Sequence, residues 1–155
     1  MPTDSATRTV RVQAPRATVL ATIRDLNSQP EWIPEIRQAE VLEIDEQTGL
    51  PVTARFTASA PVGTDSYTLR YRHRDDGMSW SMVQGRLQTG QEGHYQLDEI
   101  TPDTTSVTYQ LTIRHNLPLP GFIRSRVIKG LVDSTLTGLQ QRIELSGGSR
   151  RDRPL

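Results

Sequence analysis

The chain of 155 residues contains no cysteine. A disulfide framework, a thiol nucleophile and a cysteine metal site are therefore excluded. Charge of one sign is also lacking, because 18 basic residues balance 18 acidic ones. These charges are interspersed along the sequence, which argues against a nucleic acid or an anionic membrane as partner.

Long apolar runs are missing as well. No segment approaches the roughly 18 apolar residues of a membrane-spanning helix. Residues 1–9 lack a basic region followed by an apolar core, so we expect a cytoplasmic protein without an integral membrane segment. The three histidines, His73, His94 and His115, share no helical spacing that binds zinc. We expect neither a metal nor a cofactor.

Residues 120–144 predict one long amphipathic helix. At about 100° per residue its apolar residues fall in a single broad stripe. Pro120 suits the first turn, and the pair Gly147-Gly148 predicts the end of the helix. The stripe consists of Ile128, Leu131, Val132, Leu136, Leu139 and Ile143.

Most of the remaining chain alternates between apolar and polar residues, as half-buried strands do. Residues 8–12 form the first such segment, and two short helices follow it, one opened by Pro15 and one near Pro30. Six further strands come next, with a hairpin turn at residues 75–77. The order predicts an α+β domain over residues 1–145, in which an antiparallel sheet of six to seven strands wraps the long helix. Residues 146–155, SGGSRRDRPL, predict a disordered tail.

A curved sheet cannot touch one helix along its whole length, so small inward residues should leave a cavity. The inward positions include Ala54, Ala58, Gly93 and Gly138. Gly138 carries most weight, because a glycine inside a helix costs about 1 kcal/mol relative to alanine. Either free space or a tight contact between the helix and a strand would account for it.

Three segments stand out by their order along the chain, and they are DLNSQPEWIPEI, SWSMVQGRLQTGQEGHYQL and VTYQLTIRHNLPLPGFIRSRVIKGLVDSTLTGLQQRIE. In the order of elements and in spacing, about residues 7–145 resemble the polyketide cyclase/dehydrase family of the START-like superfamily. The resemblance implies a helix-grip fold around an apolar cavity that holds a polyketide, lipid, sterol or quinone. Only some members of the family are enzymes, and no short catalytic motif of its cyclases matches here.

Nine residues are candidates for contact with such a ligand. Arg124, in the first turns of the long helix, could bind a carboxylate or phenolate through two hydrogen bonds, or could pair with a nearby acid. The aromatic candidates could stack on a flat ligand, or could simply pack in the core. The remaining eight candidates are Phe56, Tyr67, Leu69, Trp80, Tyr95, Tyr109, Val132 and Leu136.

Several other polar and aromatic residues are further candidates for the site. Asp25 with Glu31, or Glu31 with Glu35, could form an acid pair, although surface and capping roles are the simpler interpretation. Trp32 either gates the cavity or anchors its short helix. Thr135 either bonds the preceding turn or faces the cavity.

Three classes of function follow from these patterns. The favoured one is a carrier or chaperone that binds a hydrophobic small molecule. The second is a polyketide cyclase, aromatase or dehydrase in which Arg124 and the tyrosines position enol and carbonyl oxygens. The third is an interaction module, in which LPLPGFI at residues 117–123 contacts a protein or a membrane surface.

Overall fold

Seven antiparallel strands form one sheet in the computed structural model, which describes residues 3–61 and 63–151, with side chains up to Leu145. Strand order is β1-β7-β6-β5-β4-β3-β2, so consecutive strands from β2 to β7 are neighbours. The predicted meander is confirmed. The strands are β1 (Thr3–Val12), β2 (Ile36–Ile44), β3 (Pro51–Ala60), β4 (Gly63–Arg74), β5 (Gly77–Gly85), β6 (Gln88–Thr101) and β7 (Thr104–His115).

Two short helices connect β1 to β2. Helix α1 spans Arg16–Arg24, and a 3₁₀ helix spans Leu26–Glu31. The second helix was predicted to start near Pro30, whereas the 3₁₀ helix ends there. Pro34 follows, and a proline disfavours helical geometry in the residue before it, so the segment after Pro30 cannot extend the helix.

The long C-terminal helix α2 spans Gly121–Arg151. Its start agrees with the prediction, because the Pro120 carbonyl accepts the first helical hydrogen bonds. The predicted stop at Gly147-Gly148 is wrong, since the helix continues through both residues. Glycine ends a helix by adopting a left-handed conformation, which helical backbone does not contain. The disordered tail stays a prediction, and residues 152–155 lie outside the described residues.

Polar contacts fix α2 to the edge strand β1 on one flank. Arg8 Nη1 lies 3.0 Å from Asp133 Oδ1, and Gln140 Nε2 donates to the carbonyl of Arg11 at 2.9 Å. On the other flank Arg142 Nη1 lies 2.9 Å from Glu31 Oε1 on the 3₁₀ helix. The helix is therefore held against the inner face of the sheet, with strand β1 on one flank and the 3₁₀ helix on the other.

The core is solid at one end of the domain. Leu136 and Leu139 of α2 are fully buried there, together with Val19 and Ile23 of α1. Gly138 lies in this solid end, where a Cβ would stand 1.9 Å from the carbonyl oxygen of Trp32. The free-space explanation for Gly138 is therefore wrong, and the tight contact is made with the segment after the 3₁₀ helix. Trp32, 7% exposed, anchors that segment to α2.

Candidate functional site: a cavity between the sheet and α2

The other end of the domain is hollow. A cavity of about 460 Å³ lies between the amino-terminal half of α2, residues 121–135, and the inner face of β3 to β7. Its wall includes exposed residues in the β3–β4 turn and at the start of α2, such as Pro61 and Arg126, and these mark the opening. The volume lies within the usual range for small-molecule sites, about 300–1,000 Å³.

A row of aromatic rings forms the floor of the cavity, with at least one ring from each of the strands β3 to β7. Neighbouring strands bring the rings together, because cross-strand partners project from the same face of a sheet. Ring centroids are 5.7 Å apart for Phe56 and Tyr67, and 4.8 Å apart for Tyr95 and Tyr109. Trp80 lies between them, 5.8 Å from both Tyr71 and Tyr109.

Gly93 is the cross-strand partner of Trp80, and the indole occupies the space above it. A Cβ at Gly93 would stand 2.3 Å from Trp80 Cζ2. The expectation that Gly93 leaves empty space is therefore wrong, because the missing side chain admits the Trp80 ring. Ala58 does line the cavity, whereas Ala54 is fully buried outside it.

Buried amide groups tie the floor to the β5–β6 turn. Trp80 Nε1 donates to Gln91 Oε1 at 3.0 Å, and Gln91 Nε2 donates to Gln88 Oε1 at 2.8 Å. The Asp65 carboxylate, 2% exposed, accepts the backbone N–H groups of Leu87 and Gln88. These buried polar atoms are hydrogen-bonded, as buried polar groups generally are, and the bonds fix the position of the floor.

All four tyrosines of the chain lie on this floor. Burial raises the pKa of Tyr67, Tyr71, Tyr95 and Tyr109 above the ordinary value of about 10, because the ionised phenolate loses its hydration. At neutral pH the four hydroxyls are therefore protonated. Three of them are hydrogen-bonded to neighbouring side chains, Tyr67 to Gln91, Tyr71 to Gln29 and Tyr109 to Thr135.

The raised pKa values predict an abrupt alkaline transition. Above about pH 10 the unfolded chain releases phenolic protons that the folded chain retains, so stability falls as the pH rises. We expect no tyrosinate absorbance in the folded protein at about pH 11, and joint ionisation of the tyrosines on unfolding. Ultraviolet absorbance, followed together with circular dichroism, measures both. Gradual ionisation near pH 10 in the folded state would contradict the burial of these hydroxyls.

Three charged or ionisable side chains meet at one end of the cavity. The backbone N–H of Leu117 donates to His115 Nδ1 at 3.1 Å, so His115 Nε2 carries the proton and donates to Asp4 Oδ2 at 2.8 Å. Arg124 Nε lies 3.6 Å from Asp4 Oδ1, too far for a hydrogen bond. The predicted alternative for Arg124, an ion pair with an acid, is therefore present, and Arg124 also lines the cavity.

A carboxylate enters the cavity at a separate point on its wall. Ser134 Oγ lies 2.8 Å from Glu35 Oε2, and both residues line the cavity. Glu31, by contrast, pairs with Arg142 on the surface. The acid pair considered for Glu31 and Glu35 does not form, and the surface interpretation is wrong for Glu35. Thr135 faces the cavity, beside Tyr109.

Seven of the nine predicted ligand contacts line the cavity, and two do not. Val132 and Leu136 are buried in the solid core instead. At about 100° per residue, they lie on the side of the apolar stripe next to Leu139 and Ile143, away from the side that faces the cavity. The seven that line it are Phe56, Tyr67, Leu69, Trp80, Tyr95, Tyr109 and Arg124.

Sequence reasoning missed the roles of Asp4, His115 and Glu35. The sequence pattern considered for His115 concerns only metal binding, whereas its position at the end of an alternating strand is the signal that places it at the cavity. Across the described residues, no group of three or more histidine and acidic side chains is arranged to hold a metal. Likewise, no helix in the described part of the chain is long and apolar enough to span a membrane.

The fold and the cavity together define a helix-grip protein with an apolar ligand site. The sequence matches the family described as "Polyketide cyclase / dehydrase and lipid transport" over residues 3–144, and the chain belongs to this family. A comparison with curated protein sequences finds no match.

Solved structures with the same fold are distant in sequence. A START superfamily protein from Mycobacterium smegmatis is 22% identical, with a TM-score of 0.83 over 91% of this chain and 97% of that one. The Zhui aromatase/cyclase from a Streptomyces species is 14% identical, with a TM-score of 0.74 over 98% and 97% of the two chains. A Thermus thermophilus protein is 21% identical, with a TM-score of 0.74 over 94% and 99%. These likenesses show the fold alone.

Proposed function

We propose that this protein binds one hydrophobic small molecule in the cavity and acts as its carrier or chaperone. The observation that carries the proposal is the aromatic floor under a cavity of about 460 Å³. Concave, mostly apolar sites with a few polar groups are where proteins bind small molecules. The family description, which names lipid transport, supports the same class of ligand. The cytoplasmic location and the absence of nucleic acid among the partners stay predictions.

Filling part of the cavity should weaken binding. Ala58 lines the cavity from β3, so in Ala58→Phe the added ring occupies ligand space. We expect the affinity for an environment-sensitive dye such as ANS to fall on the order of tenfold or more. Fluorescence titration measures this, with competition by a long-chain fatty acid or a quinone.

Ser66→Phe is the matched control, because Ser66 is exposed on the outer face of β4. This variant adds the same ring without entering the cavity, so it should bind the dye as the parent protein does. Equal dye binding by Ala58→Phe and the parent would place the ligand elsewhere and overturn the proposal. Native mass spectrometry of freshly purified protein would identify the ligand itself.

A second candidate function is cyclisation or dehydration of a polyketide chain. It is favoured by the presence of a carboxylate, Glu35, and protonated tyrosines in the same cavity. The carboxylate can accept a proton from carbon between two carbonyls, and the phenols can donate hydrogen bonds to the enolate oxygen that forms. Turnover of a supplied poly-ketone, lost in Glu35→Gln, would establish this function. Binding without turnover would leave the carrier function.

A further inference from the structure

Two buried polar atoms in the cavity wall have no hydrogen-bond partner among the described residues. One is Glu35 Oε1 and the other is Arg124 Nε. Buried polar groups are nearly always hydrogen-bonded, and leaving one unpaired is costly. Each of these atoms therefore indicates where a ligand group belongs.

The Glu35 site requires a hydrogen-bond donor. Glu35 Oε2 already lies 2.8 Å from Ser134 Oγ, whereas no described residue donates to Oε1. A carboxylate oxygen can only accept a hydrogen bond, so the complementary ligand group is a hydroxyl or another N–H or O–H donor. A ligand carboxylate at this point would be repelled.

The Arg124 site requires an acceptor without a charge of its own. Arg124 Nε is a donor, and Asp4, 3.6 Å away, already balances the charge of the guanidinium. Asp4 is itself held by His115 at 2.8 Å. The carbonyl oxygen of a ketone or quinone satisfies the free donor without adding an unbalanced charge.

The two sites are well separated along the cavity. Arg124 and Ser134 are ten positions apart on α2, which corresponds to about 15 Å along the helix axis. A ligand that reaches both atoms must therefore be elongated. Most of the remaining cavity wall consists of aromatic and aliphatic side chains, so the rest of the ligand must be apolar.

We propose that the ligand is an elongated, rigid and mostly apolar hydroxy-ketone, whose hydroxyl donates to Glu35 and whose carbonyl accepts from Arg124. This inference rests on the proposed function, since it names the chemical class of the bound molecule. It makes Glu35 the residue that selects a ligand hydroxyl over a ligand carbonyl at the Glu35 site.

Displacement of ANS by two steroids tests the inference. One has a hydroxyl at one end of the four rings and a ketone at the other, and the second has a ketone at both ends. We expect the parent protein to bind the hydroxy-ketone about tenfold more tightly, because only the hydroxyl can donate to a buried carboxylate.

Glu35→Gln should narrow or reverse this preference. Ser134 Oγ also lies 2.6 Å from the carbonyl of Gly130, so its one proton is not committed to residue 35. The uncharged glutamine amide can therefore turn either its NH₂ donor or its carbonyl acceptor to the ligand, and a ketone is no longer disfavoured. A purely structural role for Glu35 would alter both affinities together. Glu46→Gln, in the exposed β2–β3 turn, is the matched control and should keep the parent preference. If Glu35→Gln does not fold, the preference of the parent protein still decides the matter.

The outcomes separate the two proposals. Equal affinity of the parent protein for the two steroids would overturn this inference alone, because Glu35 would then not select a ligand hydroxyl. Failure of both steroids to displace the dye would also overturn it, while loss of dye binding in Ala58→Phe would still support the proposed function. Dye binding that Ala58→Phe leaves unchanged would overturn both.

Discussion

Leu139→Ala should lower the free energy of unfolding by about 2–5 kcal/mol. Leu139 is 0% exposed in the solid end of the core, where α1 and the segment after the 3₁₀ helix close around α2. Truncation removes the buried methyl groups and leaves a void, because close-packed neighbours relax only in part. Urea denaturation monitored by circular dichroism measures the change.

Leu145→Ala provides the comparison on the same helix. Leu145 is 71% exposed, so its truncation should change the free energy of unfolding by less than about 0.5 kcal/mol. A loss below about 1 kcal/mol for Leu139→Ala would mean that this end of the core can collapse. The division of the domain into a solid and a hollow end would then be wrong.

Gly138→Ala should destabilise the protein by about 1–3 kcal/mol, although alanine is the better helix former. The new Cβ would stand 1.9 Å from the carbonyl oxygen of Trp32, which is backbone and cannot rotate away. The helix and the segment after the 3₁₀ helix must therefore separate. The thermal midpoint and the urea midpoint should both fall.

Gly130→Ala isolates the effect of helix propensity. Gly130 also lies in α2, but a Cβ there would meet nothing within 4 Å. We expect this variant to be more stable than the parent by about 0.5–1 kcal/mol, since alanine restricts the unfolded chain. If the two glycine variants change stability in the same direction, the close approach of Trp32 to α2 does not govern Gly138.

Most of the fold could be predicted from the local periodicity of apolar residues. Alternation along β3, β4, β6 and β7 places residues on one face of a sheet whatever the loops do, and this is why the aromatic floor was predictable. The stripe along α2 was predictable for the same reason. Both depend only on neighbours within one element.

The remaining features depend on where separate segments meet. Gly138 faces a carbonyl more than 100 positions earlier in the chain, and no local pattern encodes that approach. Val132 and Leu131 are adjacent in one apolar stripe, yet only Leu131 lines the cavity, because the sheet curves away from one side of the helix. The sequence around Glu35 is typical of a surface carboxylate. Only the packing of the segment before β2 against α2 brings Glu35 to Ser134.

The division of α2 bears on how such a protein can diversify. One half of the helix, with Arg124, Leu131 and Thr135, faces the ligand space, while Leu136, Leu139 and Ile143 on the other half hold the domain together. Among the described residues of α2 that line the cavity, Ile128 alone also belongs to the buried core, so substitutions at the others leave most of the packing of the helix unchanged. On this helix, selection for a new ligand and selection for a stable domain thus act largely on different residues. The sheet lacks this division, because its aromatic floor both lines the cavity and belongs to the buried core.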